Sequence, residues 1–271
     1  MHSREDFKFN FLKSIIIRLD FEGVFKTELD KVLPAVKPLL KENGFSRYEK
    51  KTAGPIEISV KSEDATFSAL KRPDAIEAHG FVNYDRGYEL VISEKFVYLT
   101  VGSSKYIPFE EYSSIFVNVV RQFKNSVDFF TPNRLGIRKT NICMVEKISK
   151  TREMFSPVLL GYYDGLEGVK NKKSLRREFF EYDNCSVNLF GGIELGESQD
   201  KSCYKVTLDI DGFSDDESAI GKILDEQSEL QEMNDILFAV YTSVLSDSFI
   251  ADLCGADETA FAGIIGIESN E

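Results

Sequence analysis

Tryptophan is absent, histidine occurs twice and cysteine four times in 271 residues, and these shortages remove most familiar reactive centres before any positive feature is weighed. A Ser-His-Asp or Cys-His arrangement would have to rest on His79, because His2 stands at the start of the chain. No G-x-S-x-G elbow, phosphate loop or G-x-G-x-x-G fingerprint occurs. Cys143, Cys185, Cys203 and Cys254 contain no C-x-x-C pair, so buried thiols are expected in place of a disulfide framework or zinc site. No apolar run approaches the roughly 18 residues of a membrane span, and the start lacks a signal-peptide pattern. A cytoplasmic protein without membrane contact or cofactor is expected.

With so few histidines, only a carboxylate-rich Mg or Ca site is left as a metal reading. Its best candidate is the run from Asp209 through Asp211 and Asp215 to Glu217. The run fails the EF-hand pattern: glycine directly follows Asp211, and the twelfth loop position is Ile220. A strand end leading into a helix capped by Ser214 or Asp215 explains the same acids, so no metal is expected.

Charge is abundant but uneven. Residues 1–150 hold 24 basic and 20 acidic side chains, residues 151–271 hold 9 and 25, and residues 197–271 hold 18 acids against Lys201, Lys205 and Lys222. An acidic field of this kind repels nucleic acid and steers basic partners. One dense basic cluster, Lys170, Lys172, Lys173, Arg176 and Arg177, reads as a solvated loop, an internal charge partner or a phosphate contact.

The patterning indicates an α+β protein with largely antiparallel sheets and long covering helices. Strands are expected at 15–21, 56–60, 88–92, 96–101, 134–145, 179–182, 185–190 and 204–210. The last of the 185–190 run ends at Gly191-Gly192. Helices are expected from Phe25 to Asn43, kinked or interrupted at Pro34 and Pro38, from Phe109 to about Phe129, and from about Ser218 to Leu253. The order of elements suggests two similar sheet-plus-helix halves, 1–150 and 151–254. A flexible tail is expected over 255–271, with its Phe261–Ile267 segment open to docking on its own body, a twin or a partner or to staying weakly ordered.

The central stretch is Arg134-Leu-Gly-Ile-Arg-Lys-Thr-Asn141. As a strand it puts Arg134, Gly136, Arg138 and Thr140 on one face and Leu135, Ile137, Lys139 and Asn141 on the other. The two arginines either clamp a carboxylate or phosphate, or pair with carboxylates on neighbouring strands.

This stretch, together with Tyr84–Ile92, Phe96–Thr100, Tyr106, Phe109 and Phe116, resembles a sporadically distributed family of uncharacterised prokaryotic proteins. The family's hallmark is a central Arg-apolar-Gly-Leu-Arg-Tyr-apolar-Asn strand. Thr207–Asp211 and Phe249 are similar to its closing strand and helix, whereas Lys139 and Thr140 depart from its Tyr and apolar positions. The family has no assigned activity, so the resemblance implies no catalytic residues; its patchy occurrence implies accessory genes such as phage-defence or toxin-linked systems.

Three functions are compatible with these residues. The first is a non-enzymatic interaction or regulatory protein, the partner or inhibitor of an effector, binding a protein with a basic surface through Glu226, Glu229, Glu232 and Asp235 and through Phe261, Ile264 and Ile265. Self-association is compatible with the same surfaces. The second is a sensor that holds a phosphorylated ligand or nucleic acid with Arg134, Arg138 and Asn141, helped by the basic cluster. The third is an enzyme with a carboxylate-metal site at Asp209 and Asp211.

Overall fold

The computed structural model describes residues 3–53, 76–102, 107–156, 172–183, 185–198, 201–255 and 257–270. The strand expected at 56–60, and Lys170 of the basic cluster, lie outside the described residues.

The chain opens with β1 (Phe9–Asn10) and β2 (Leu12–Glu22), followed by α1 (Leu29–Glu42) and the antiparallel strands β3 (Arg47–Ala53), β4 (Ile76–Asn83), β5 (Tyr88–Ser93) and β6 (Phe96–Val101). The first half closes with α2 (Phe109–Asn125), β7 (Thr131–Val145) and the short α3 (Lys150–Met154). There follow β8 (Lys173–Glu181), β9 (Ser186–Ser198), β10 (Lys201–Ser214), the helices α4 (Glu217–Asp225), α5 (Gln227–Val244) and α6 (Asp247–Cys254), and the two-residue strands β11 (Ile264–Ile265) and β12 (Glu268–Ser269).

Nine strands form one sheet in the order β3-β4-β5-β6-β2-β7-β10-β9-β8, with β11 also joined to β7. Every pairing is antiparallel. The α+β class with antiparallel sheets is therefore present. Both expected halves contribute to one continuous sheet, joined where β7 pairs with β10.

Residue period two divides the sheet into unlike faces. Ile15, Ile17 and Leu19 of β2, Leu135 and Ile137 of β7, and Leu208 and Ile210 of β10 share one face. They form a single buried cluster with the apolar sides of α1, α2, α4, α5 and α6. The opposite face is mostly polar and carries a separate small cluster of Ala78, Val91 and Phe96. Helices on one side of an antiparallel sheet give the two-layer arrangement that buries each apolar face once.

Several local expectations are corrected by the structure. Helix α1 runs continuously through Pro34 and Pro38. Both prolines are exposed and four residues apart on the outer side, so the carbonyls that lose their N–H partners can turn to water. The long helix expected from 218 to 253 is three helices. Its chain leaves helical geometry at Glu226 and Leu245, and Ser246 Oγ accepts from Phe249 N at 3.1 Å to start α6. Helix α4 is capped by Asp216, which accepts from Ala219 N at 2.7 Å, one position beyond the expected Asp215. Strand β9 does not stop at Gly191-Gly192. A Cβ at Gly192 would lie 3.1 Å from Phe190 Cε1 and 3.2 Å from Leu175 Cδ2, so the glycine accommodates side chains crossing the sheet.

Candidate functional site

The alternation that places Arg134 and Arg138 on one face also brings them opposite aspartates. In the β7–β10 register, Arg138 stands opposite Asp211 and Thr140 opposite Asp209; Arg138 reaches the aspartate two residues along β10 from its register neighbour, and Arg134, just beyond the last register pair, reaches Asp211. Arg138 Nε donates to Asp209 Oδ1 at 2.9 Å and Nη2 to Oδ2, a two-pronged contact, while Arg134 Nη2 donates to Asp211 Oδ2 at 2.9 Å. Arg134 also lies over the Phe213 ring, 4.6 Å from its centroid, and its Nη1 is 3.2 Å from where a Gly136 Cβ would stand. Gly136 therefore leaves the space across which Arg134 leans.

These contacts favour the structural reading of the arginines over an anion clamp. The Asp209 hydrogen bonds push the Arg138 guanidinium pKa further up, and burial raises the Asp211 carboxyl despite the opposing pull of Arg134 and Arg138. The same contacts set two guanidinium charges where a cation at Asp209 and Asp211 would have to sit. Among the described residues, no group of three or more His, Cys, Asp or Glu could hold a metal ion.

Asn141 is not beside the two arginines. It belongs to the covered face, where its Nδ2 donates to Leu208 O at 3.2 Å, and it lines a cavity of about 110 Å³ between the sheet and α5. The walls are mainly apolar, with Ile15, Val101, Phe109, Ile210 and Leu237 among them. Lys139 lies in the same wall, two residues from Asn141 on the same strand face.

Lys139 was readable in the sequence only as the polar alternate of the Arg134 strand. The structure puts it beneath α5, where Nζ donates to Asn234 Oδ1 at 2.5 Å. Burial, with a further push from the Arg4 charge and a smaller opposing pull from Asp235, lowers the Lys139 amine to a pKa of about 7. Asn234 is fully buried and its Nδ2 has no hydrogen-bond partner. Arg4, also in the cavity wall, donates from Nη2 to Asn234 O at 2.7 Å and from Nη1 to Asp235 Oδ1 at 2.6 Å, while its buried Nε has no partner. A lysine in an apolar wall beside unmatched donors is the concentration of unusual chemistry that the sequence did not disclose.

The expected partner surfaces are placed differently from one another. Glu226, just before α5, and Glu232 on it are exposed and Glu229 is half-exposed, whereas Asp235 is taken up by Arg4. The segment expected as a flexible tail is set against the chain's own body. Phe261 is buried, Ile264 and Ile265 pair with Val145 and Met144 of β7, and Glu268 and Ser269 pair with Asn10 and Phe9. Of the three apolar tail residues, only Ile265 is largely exposed.

The basic cluster, apart from Lys170, belongs to β8 and the residue before it, not to a loop. Lys173 pairs with Glu194 at 3.1 Å and Arg176 with Glu178 at 2.6 Å, so two of its charges have acidic neighbours within the sheet. Strand β8 ends the sheet, and its large apolar side chains stay in solvent: Leu175 is 47 % exposed, Phe179 53 % and Phe180 38 %, with Tyr182 just beyond it at 43 %. No helix of the described residues is long and apolar enough to cross a membrane.

No protein-family model matches this sequence, and no curated protein is significantly similar to it.

Proposed function

We propose that this chain is a non-enzymatic protein-interaction or regulatory protein, the partner or inhibitor of an effector, and that it meets its partner along β8. The observation that carries this reading is the row of exposed Leu175, Phe179, Phe180 and Tyr182 at one end of the sheet. Large apolar side chains on a terminal strand invite a further strand from another chain, with the backbone supplying affinity and alternate side chains supplying selectivity. Arg177, exposed between Leu175 and Phe179, favours acidic side chains in the partner strand. The exposed Glu226, just before α5, and Glu232 on α5 support a second, basic contact of the kind expected from the acidic C-terminal quarter.

The resemblance to a family of accessory prokaryotic genes supports a setting in defence or toxin-linked systems. It supplies no chemistry that competes with the β8 reading. The phosphate-sensor alternative loses its main support when Asp211 and Asp209 occupy Arg134 and Arg138.

The test is a Phe179→Ser, Tyr182→Ser double variant, compared with the unmodified chain for recovery of a partner from the native host. Selective loss of the partner by a variant of unchanged melting temperature is the expected result. Equal recovery by both proteins would place the contact elsewhere.

A further inference from the structure

The cavity under α5 combines three features that ordinary packing does not leave together: an apolar wall, an amine, and buried donors that lack acceptors. Three of its polar residues, Lys139, Asn234 and Arg4, carry the donors that matter. Lys139 Nζ has spent one hydrogen on Asn234 Oδ1, and a lysine ammonium carries three donors and no acceptor. With Lys139 as the ammonium, which can only donate, the contact requires the oxygen of the Asn234 amide on its side and leaves the N–H-bearing Nδ2 unmatched. Arg4 Nε adds another buried donor without an acceptor. The aspartate that compensates Arg4 is directed to Nη1 and leaves Nε unmatched.

Donors without acceptors, two of them on or beside cationic groups, call for an incoming anionic oxygen. Apolar walls call for a hydrocarbon attached to it. The size narrows the class, since a dry cavity of roughly 150 Å³ takes a benzene ring and the space here is about 110 Å³. Nucleotides exceed these dimensions, an inorganic phosphate brings no hydrocarbon for the apolar walls, and a protonated amine would offer the unmatched donors no acceptor.

We propose that this cavity binds a short apolar carboxylate of about four to six non-hydrogen atoms, its oxygens held by Lys139, Asn234 and Arg4 and its hydrocarbon end lying against Ile15, Val101 and Phe109. Lys139 supplies the charge, Asn234 and Arg4 supply direction, and the apolar walls take the hydrocarbon. Burial and Arg4 disfavour the Lys139 ammonium more than Asp235 favours it; a bound carboxylate would favour the charged form, so binding takes up protons near neutrality. The site is separate from β8, and its occupancy can be measured without knowing any protein partner.

The experiment uses the full chain and butyrate as the probe, with butanol and butylamine as the uncharged and cationic comparisons. Thermal unfolding at pH 6.5 is combined with a carbon NMR titration of carboxyl-labelled butyrate. Butyrate is expected to raise the melting temperature and to show a saturable shift of its carboxyl resonance, while butylamine does neither and butanol acts at least tenfold more weakly. Lys139→Met removes the charge, and Asn234→Asp offers Lys139 a carboxylate from the chain itself; each is expected to weaken butyrate binding at least tenfold. The inference is overturned if butyrate and isobutyrate both leave the wild-type chain unchanged, if butanol matches butyrate, or if both variants fold and bind butyrate as the wild type does. Should a variant fail to fold, the comparison of butyrate with butanol on the wild-type chain still decides the matter.

Discussion

Lys139 Nζ and Asn234 Oδ1 meet at 2.5 Å across the boundary between the central strand and α5, which makes this contact the polar link between the sheet and the helix that covers it. On the other side of the same strand, Arg138 meets Asp209. Neighbouring residues of one strand thus serve opposite purposes: one closes a charge pair on the open face, and the next holds an amine in the core.

Holding that amine has a sign that can be measured. The folded chain lowers the Lys139 pKa from 10.5 to about 7, so the unfolded chain binds more protons throughout that interval and stability rises with pH across it. Below about pH 7 both states are protonated and the full penalty of the buried charge is present. Arg4 from the N-terminal segment and Asp235 and Tyr241 from α5 share this environment, of which Arg4 disfavours and Asp235 favours the charge. Lys139→Met is expected to be more stable than wild type at pH 6.5, with an advantage that shrinks by up to about 1.4 kcal/mol per pH unit between pH 7 and 10. Urea unfolding of both proteins at several pH values measures this.

The Arg138–Asp209 pair should behave as a partly buried charge pair that is costly to halve. The Asp209 side chain is only 14 % exposed and that of Arg138 28 %. Asp209→Ala is expected to cost about 2–3 kcal/mol, below the range for a fully buried pair because Arg138 keeps some access to water. Replacing both residues by leucine should recover more than half of that loss. Denaturant midpoints of the single and double variants provide the comparison.

At Gly212 of β10, α5 comes close to the sheet. A Cβ there would lie 2.7 Å from Leu237 Cδ2, and Leu237 is fully buried in the cavity wall. Gly212→Ala is expected to destabilise the chain by about 1–3 kcal/mol through overpacking. It should also displace Leu237 and alter the cavity, so methyl NMR of Leu237 and its cavity neighbours would register the change even where unfolding is shifted little.

The C-terminal segment makes a prediction that separates packing from partner contact. Phe261 packs against Phe9 with ring centroids 4.9 Å apart and against Phe249 at 6.4 Å. Phe261→Ala is expected to lower stability by about 3 kcal/mol in the purified chain. A loss of partner binding at unchanged stability would instead assign Phe261 to an external surface.

How much of this was legible in the sequence follows from the range of the interactions. Alternation around Gly136 was enough to separate Arg134 and Arg138 from Lys139 and Asn141, and the three-to-four spacing from Tyr112 to Phe123 was enough to locate the apolar side of α2. The sequence did not say which of the two strand faces the helices would cover, and so Lys139 looked like an ordinary polar alternate. That choice depends on β10 and α5, some 70 and 95 residues away. Ser246, whose side chain starts α6, lies inside a pattern that reads as one continuous helix, and the two-residue strands at 264–265 and 268–269 are specified by β7 and β1 and have no periodicity of their own. Phe179 and Phe180 begin a stretch that reads as a strand, and Leu175 sits in the basic cluster before it; their exposure goes with the place of β8 at the end of the strand order of the described residues, which only the topology shows.

The most direct measurement is the titration of Lys139 in the intact chain, followed through its side-chain carbon and proton resonances and assigned by their absence in Lys139→Met. A midpoint near pH 7, moving upward when butyrate is added, is the predicted result. A midpoint near 10.5 that butyrate leaves unmoved would contradict both the burial of the amine under α5 and its role in holding a carboxylate.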